Sequence, residues 1–363
     1  MPVKRKAASK ELAWIQWLRR LEEGGPRGSP RARRSRGQPG LLGIGDDAAV
    51  WTPARGKSAV LTVDAQVEGV HFHRRWTTLR QIGRRAVASS VSDLAAMAAS
   101  PAALLVAITA PDGTADRDFR ELYHGIHSGA AELGARVLGG NLSAGPLSIT
   151  ITAIGEGDPR KLLVRSGADA GDEIWVTGVP GLARLGLAWL ERRGAQALPE
   201  SPSDRAAIHA ALRAFLAPTA RCREAAEIAR SVAPTSMIDL SDGLAADLGH
   251  ILDESGVRRG KTLGAEISAP ALAESPILGR AAALLGQDPA GAALEGGDDY
   301  ELCFTAPPGA GARLASRYAR RFGHALTRIG RLVSRSGLWL EGEDGKVRRT
   351  RAGGYSHFRR RPR

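Results

Sequence analysis

Six aspartates in this chain stand where carboxylates can do chemistry rather than merely solvate a surface. Asp46 and Asp47 lie in Gly43-Ile44-Gly45-Asp46-Asp47-Ala48-Ala49-Val50, Asp64 follows Val60-Leu61-Thr62-Val63, Asp93 sits in Val91-Ser92-Asp93-Leu94, and Asp239 and Asp242 occupy Met237-Ile238-Asp239-Leu240-Ser241-Asp242-Gly243. A further stretch, Gly296-Gly297-Asp298-Asp299-Tyr300, repeats the pairing of glycine with acid. Glycine lets the backbone adopt positive φ or approach a phosphate, and adjacent acids repel unless a cation or solvent neutralises them. Taken singly, each stretch reads equally as a solvated turn, a helix face or a cap. Their repetition after apolar runs points to divalent cations. With oxygen donors and no His or Cys cluster, Mg²⁺ or Mn²⁺ is favoured over zinc, and Mg²⁺ characteristically joins a few carboxylates to substrate phosphates. Nucleotide chemistry follows, yet the chain has no Gly-x-x-x-x-Gly-Lys-Ser/Thr loop, no Gly-x-Gly-x-x-Gly after a strand and no His-Arg-Asp loop. A P-loop enzyme, a Rossmann dehydrogenase and a protein kinase are therefore disfavoured.

Elements must hold these groups in place. Leu12, Trp14, Ile15 and Leu18 predict a short amphipathic helix over 11–21. Strand-like runs at 48–51 and 58–63 are broken by Pro53-Ala54-Arg55-Gly56-Lys57, so that Asp64 ends a buried strand. A helix over 81–100, with Val87, Val91, Leu94 and Ala98 on one stripe and Pro101 stopping it, carries Asp93. A strand at 103–110, a helix at 119–133 and an alternating strand at 147–153 follow. Loop composition at Glu156-Gly157-Asp158-Pro159 marks a domain boundary. Beyond it come a strand at 173–177, a helix through Leu182, Leu185 and Trp189, further helices within 203–231, and a short strand at 237–240. Leu244, Leu248, Ile251 and Leu252 then mark a helix that starts just after Asp242-Gly243, and 300–304 alternates as a strand. Such a strand-to-helix turn offers free N–H groups and a helix dipole to anions.

The chain has 363 residues, enough for two cores, and its alternation of strand and helix patterns predicts a soluble α/β (α+β) protein. The expected divisions are a basic helix and loop over 1–40, an N-terminal domain over 41–157, a C-terminal domain over 158–345 and a basic tail over 346–363. No apolar run reaches membrane-spanning length and no signal segment follows Met1, which predicts a cytoplasmic protein. Cys222 and Cys303 form no Cys-x-x-Cys pair and read as reduced core residues. The net charge of +13 comes from the ends: 1–40 and 346–363 supply +8 each, so 41–345 carries −3. Gly, Pro and Ser accompany the arginines of 24–37, the composition of a solvated tail, and the charge distribution speaks against nucleic acid as a partner.

Seven stretches together resemble the thiamine-monophosphate kinase family, in order and from about Leu41 to Phe358: Gly43-Ile44-Gly45-Asp46-Asp47, Thr62-Val63-Asp64, Glu68-Gly69-Val70-His71-Phe72, Val91-Ser92-Asp93-Leu94-Ala95-Ala96-Met97, Arg165-Ser166-Gly167-Ala168, Ile238-Asp239-Leu240-Ser241-Asp242-Gly243-Leu244 and Gly296-Gly297-Asp298-Asp299-Tyr300-Glu301-Leu302. The resemblance implies the superfamily of aminoimidazole ribonucleotide synthase and selenophosphate synthetase. It implies an N-terminal α/β domain that dimerises and binds ATP, a C-terminal α/β domain, and transfer of the ATP γ-phosphoryl to thiamine monophosphate. It implies several Mg²⁺ ions held by Asp47, Asp64, Asp93, Asp239 and Asp242, with oxygens from Thr62 and Val63. Ser241, Arg165, Gly140 and Tyr123 would contact ATP, and His71, Asp298 and Tyr355 would face thiamine monophosphate. No covalent intermediate is implied.

One departure stands out. The family carries Gly-Gly-Asp, its Asp binding Mg²⁺ beside the ATP phosphates, where this chain has Gly139-Gly140-Asn141. Asn141 keeps an oxygen for the metal and nucleotide but loses the charge, which leaves open an active enzyme needing more Mg²⁺ or a weak relative. Two other readings stand beside the kinase. A selenophosphate synthetase would need a reactive Cys near the N-terminus, and none precedes Cys222; a binding protein acting through its basic ends would retain nucleic acid in a salt-dependent way.

Overall fold

The computed structural model describes residues 10–22, 43–44, 47–195, 197–350 and 353–355. Of the expected basic helix and loop over 1–40, residues 1–9 and 23–40 lie outside the described residues, as do Gly45, Asp46 and the end of the tail at 356–363. The chain divides into two compact units, the second of which also takes in 75–77 and 91–100 besides everything from Gly157 onward.

The first unit holds a four-stranded sheet. Its strands are β1 (Ser58–Val67), β2 (Ser100–Ala110), β3 (Arg136–Ala144) and β4 (Ser148–Gly157), in the order β1-β4-β2-β3. Burial along β4 alternates strictly, the mark of a strand with one covered face. Between β2 and β3, which run parallel, lies α3 (Asp116–Glu132); its predecessors are α1 (Lys10–Glu22) and α2 (Leu79–Ala96). Phe119, Leu122, Tyr123, Ile126 and Ala130 form the buried stripe of α3 at helical spacing, and Asp116 and Asp118 favour its N-terminal dipole. Trp14 of α1 stacks on Phe119 with ring centroids 4.0 Å apart.

Three expectations change here. No named strand covers 48–51, and β1 runs on to Val67, so Asp64 lies within the strand instead of ending it. The apolar run at 58–63 stops at Val63, but Ala65, Gln66 and Val67 continue the pairing because strand length follows the sheet and not the hydrophobic run. At the far end of α2, Ala98 takes a φ of 53° after the helix stops at Ala96, and Pro101 falls inside β2.

The second unit is built on a seven-stranded mixed sheet: β5 (Glu173–Thr177), β6 (Ser236–Asp239), β7 (Gly264–Ser268), β8 (Leu302–Ala306), β9 (Leu326–Val333), β10 (Gly337–Glu341) and β11 (Val347–Thr350), ordered β11-β10-β7-β9-β5-β8-β6. The segment expected to be tail from residue 346 thus contributes an edge strand, antiparallel to β10. Ile174, Val176, Ile238 and Cys303 enter a core with α4 (Leu182–Arg193), α5 (Pro202–Leu216), α7 (Leu244–Arg259), α9 (Pro276–Leu285) and α10 (Pro289–Glu295), next to the single turn α8 (Ala269–Leu272). Trp175, Met237, Leu302 and Phe304 point to the opposite face, where α6 (Cys222–Val232) and α11 (Ala312–Phe322) cover them. Both faces of the sheet are covered, so β8 is buried at every residue and the alternation expected over 300–304 is absent. Cys222 and Cys303 are free thiols. No described helix is long and apolar enough to cross a membrane.

Candidate functional site

In the second unit, β6 runs out at Asp239 into Leu240-Ser241-Asp242-Gly243, and α7 begins at Leu244. Backbone pairing continues past the strand end: Leu240 N–H donates to the Glu301 carbonyl, Tyr300 N–H to the Leu240 carbonyl and Asp298 N–H to the Ser241 carbonyl, each at 2.8 Å. Tyr355 N–H donates to the Asp242 carbonyl at 2.9 Å. Three segments far apart in sequence are thereby tied into one surface. Gly297 is required by this closeness, since a Cβ there would sit 2.6 Å from the Ser241 carbonyl oxygen. Asp298 and Tyr300 take left-handed φ values of 67° and 50°, a conformation costing about 1–3 kcal/mol each that the flanking bonds enforce. The Tyr300 hydroxyl donates to Asp298 Oδ1 at 3.1 Å.

Asp239 is 3% exposed. Burial, then the neighbouring Asp93 charge, push its carboxyl up to about 7, against the pull of the Ser92 hydroxyl and the Arg165 guanidinium. Arg165 lies in a single 3₁₀ turn, Arg165–Gly167, whose Arg165 carbonyl accepts from Ser255 Oγ at 2.9 Å. Ser92 Oγ lies close enough to Asp239 to lower its pKa, yet it is buried without a hydrogen bond of full geometry among the described residues. Two carboxylates in mutual repulsion, beside an unsatisfied buried hydroxyl, are what a bound cation with its water shell would relieve.

Asp247 was not singled out from the sequence. Its Oδ2 accepts from the N–H groups of Ser241 at 3.0 Å, Asp242 at 3.2 Å and Gly243 at 3.1 Å, locking the turn that carries Asp239 and Asp242. Burial and the charges of Asp239 and Asp242 push Asp247 up to about 8, while the donated N–H groups of Asp242 and Gly243 oppose them. One signal could have found it: Asp247 lies three residues after Leu244 and four before Ile251, on the apolar stripe of α7, where an acid needs partners.

Other acids of the motifs turn out to be scaffold. Asp299 is pushed well up by burial and held by Gly181 N–H at 2.6 Å and Ala183 N–H at 3.1 Å at the start of α4. Glu301 accepts from Thr177 Oγ1 at 2.6 Å and from Arg221 Nε at 2.8 Å.

In the first unit, β1 presents Thr62, Val63 and Asp64 in succession, and Asp64 Oδ1 accepts from Ala65 N–H at 2.7 Å. After β1 the chain reverses: Gly69 N–H donates to the Phe72 carbonyl at 2.8 Å and Val67 N–H to His71 Nδ1 at 3.0 Å. His71 Nδ1 therefore accepts, which puts the proton of the neutral ring on Nε2. Asp47 is exposed before β1. Asn141 on β3 is exposed, and its amide nitrogen donates to Ser143 Oγ at 2.9 Å, which turns Oδ1 to the acceptor role a cation would use. Gly140 has a structural need of its own, because a Cβ there would lie 1.7 Å from the Val106 carbonyl oxygen of β2.

Tyr123 departs from the expectation of an ATP contact. It is 2% exposed, its hydroxyl donates to Glu22 Oε1 at 3.0 Å, and Trp17 of α1 packs edge-on against its ring, so it presents no surface to a nucleotide. Asp93, Arg165, Asp239, Ser241, Asp242, Asp298 and Tyr355 belong to the second unit; Asp47, Thr62, Val63, Asp64, His71, Tyr123, Gly140 and Asn141 belong to the first. Among the described residues, no group of three or more His, Cys, Asp or Glu side chains is close enough to hold a metal. Mg²⁺ does not require one, since it keeps several waters and takes one or two carboxylates plus phosphates.

Residues 45–156 match the N-terminal domain of AIR synthase related proteins. Thiamine-monophosphate kinase of Mycobacterium tuberculosis (strain CDC 1551 / Oshkosh) is 36% identical over 301 residues, which cover 79% of this chain and 82% of that one. The crystal structure of thiamine-monophosphate kinase from Stenotrophomonas maltophilia K279a superposes with a TM-score of 0.76 at 33% identity, covering 92% of this chain and 97% of that one. AaThiL complexed with AMPPCP and TMP superposes with a TM-score of 0.69 at 28% identity, covering 85% and 89%.

Proposed function

The chain belongs to the thiamine-monophosphate kinase family, phosphorylating thiamine monophosphate with ATP as donor, and on that premise we propose how its residues divide the work. Catalysis is positioning and charge neutralisation with no covalent phospho-enzyme, as phosphoryl transfer requires. Asp93 and Asp239 would hold a divalent cation, together with Asp242, which shares the turn that follows Asp239. In the first unit, Asp47, Asp64 and Asn141, with oxygens of Thr62 and Val63, would hold Mg²⁺. When bound, Mg²⁺ would neutralise phosphate charge. Arg165 and Ser241 bind ATP phosphates, and Gly140 keeps β3 close against β2 beside Asn141. His71, Asp298 and Tyr355 bind thiamine monophosphate, with the Tyr355 ring, half exposed, suited to stack on a heteroaromatic ring and Asp298 to face its positive charge. The observation that carries this reading is the buried Asp239 carboxyl beside the half-buried Asp93 and the Ser92 hydroxyl.

We also propose a homodimer working in the cytoplasm. β1 is an edge strand of its sheet and exposes Leu61 at 64% and Val63 at 63%, an apolar edge that a second copy would cover. A coupled assay for ADP with thiamine monophosphate as acceptor tests the function. Acceptor-dependent ADP release that rises with Mg²⁺ is expected; none, from folded protein that binds ATP, would overturn it.

A further inference from the structure

The net charge of −3 over 41–345 conceals a strongly basic face on the second unit, built by the two helices that cover one side of its sheet. On α11, Arg313, Arg317, Arg320 and Arg321 recur at the i, i+4, i+7 and i+8 positions of one stripe, and the helix contains no acid. Its other stripe, Leu314 and Tyr318, is buried against the sheet. On α6, Arg223, Glu227 and Arg230 share a stripe in the same way. The two stripes meet at Glu227, whose side chain is 2% exposed and pairs with Arg230 at 2.7 Å, Arg321 at 2.9 Å and Arg317 at 3.4 Å, while those arginines remain 66%, 58% and 54% exposed. One carboxylate neutralises one charge of the three. Arg223, Arg313 and Arg320 are exposed and make no ion pair among the described residues, so the face carries six arginines against a single buried acid.

We propose that this face docks the phosphate backbone of a single-stranded nucleic acid without regard to sequence. Guanidinium groups present planar, weakly hydrated donors matched to phosphate oxygens, and each keeps donors to spare beyond those aimed at Glu227. The stripe from Arg313 to Arg321 spans about 12 Å along the helix axis, enough to meet more than one backbone phosphate. Neither α6 nor α11 exposes a large apolar side chain that would anchor it in a lipid surface. Exposed Trp and Tyr for stacking bases are likewise missing from both helices, which leaves the backbone as the ligand.

The test is fluorescence anisotropy of a labelled 20-nucleotide mixed-sequence RNA with the full chain, repeated across salt concentrations. Arg313→Glu/Arg320→Glu reverses two unpaired charges without orphaning Glu227, and Arg193→Glu/Arg213→Glu makes the same net change at exposed positions on α4 and α5. The first variant is expected to bind at least about tenfold more weakly at 0.1 M salt, with the slope of log affinity against log salt reduced by about two, and the second to shift less than about threefold. Thermal midpoint and ADP release stay at wild-type values in both, so a failure of the kinase reading remains distinguishable. Equal weakening by both variants would assign the binding to overall charge and overturn the proposal. No measurable binding by wild type at 50 mM salt would do the same, as would binding to an acidic peptide or to anionic vesicles in preference to RNA.

Discussion

Two buried carboxylates in the second unit sit in opposite company. Asp239 has Asp93 beside it and is pushed up to about 7, whereas Glu227 gathers three arginines and is held below the ordinary glutamate value, first by Arg230 and then by Ser231. The first is a charge whose neighbours aggravate it; the second is a charge already answered. The former is a place where a cation would relieve repulsion, whereas the latter is already paired within the fold.

Removing each in turn sharpens the contrast. Asp239→Asn should lower turnover on the order of a thousandfold while the thermal midpoint without divalent cation holds or rises, because the substitution abolishes a buried repulsion. A fall in both together would make Asp239 structural. Asp247→Asn should cost about ten- to hundredfold in turnover, as partners behind a metal site do, and should speed amide exchange at Ser241, Asp242 and Gly243. Lost turnover with unchanged exchange would mean that Asp247 does not act through the turn.

Asn141→Asp is expected to move half-saturation to lower Mg²⁺ by several-fold with little change in maximal turnover. An identical Mg²⁺ titration would remove position 141 from the metal. Glu227→Gln should leave turnover untouched and lower the thermal midpoint by about 2–4 °C. Its pH dependence has a definite sign. Glu227 has a depressed pKa in the fold, so the stability it contributes is present above the ordinary value of 4.5 and disappears as pH falls through the depressed one. The gap between wild type and Glu227→Gln should accordingly close below pH 4.5, and a gap that widens on acidification would contradict the assigned ion pairs.

Much of this was legible in residue order. Leu244, Leu248, Ile251 and Leu252 located α7, and the Asp-Gly that precedes it located the turn. The alternation of 147–153 located β4, although not its extension to Gly157. What remained hidden was whatever depends on a partner distant in sequence. Nothing local distinguishes Asp298, placed beside the turn, from Asp299, consumed by the start of α4, or from Glu301, consumed by Thr177 and Arg221. The covering of Tyr123 was hidden for the same reason, because the helix that packs on it lies about a hundred residues earlier in the chain. Regional charge also hides distribution, since averaging 41–345 cancels the arginines of α6 and α11 against acids located elsewhere.

The bond from Tyr355 N–H to the Asp242 carbonyl has a consequence for the order in which the living protein is made. The turn bearing Asp239 and Asp242 leaves the ribosome long before the residue that fastens it. At typical elongation rates the delay is roughly 6 to 20 s, during which a nascent chain owns its aspartates but not the closed surface. β5 waits too, since its partner β9 begins only at Leu326. The fully fastened turn should thus appear only once residue 355 has been made, and truncation before residue 355 would leave it unfastened.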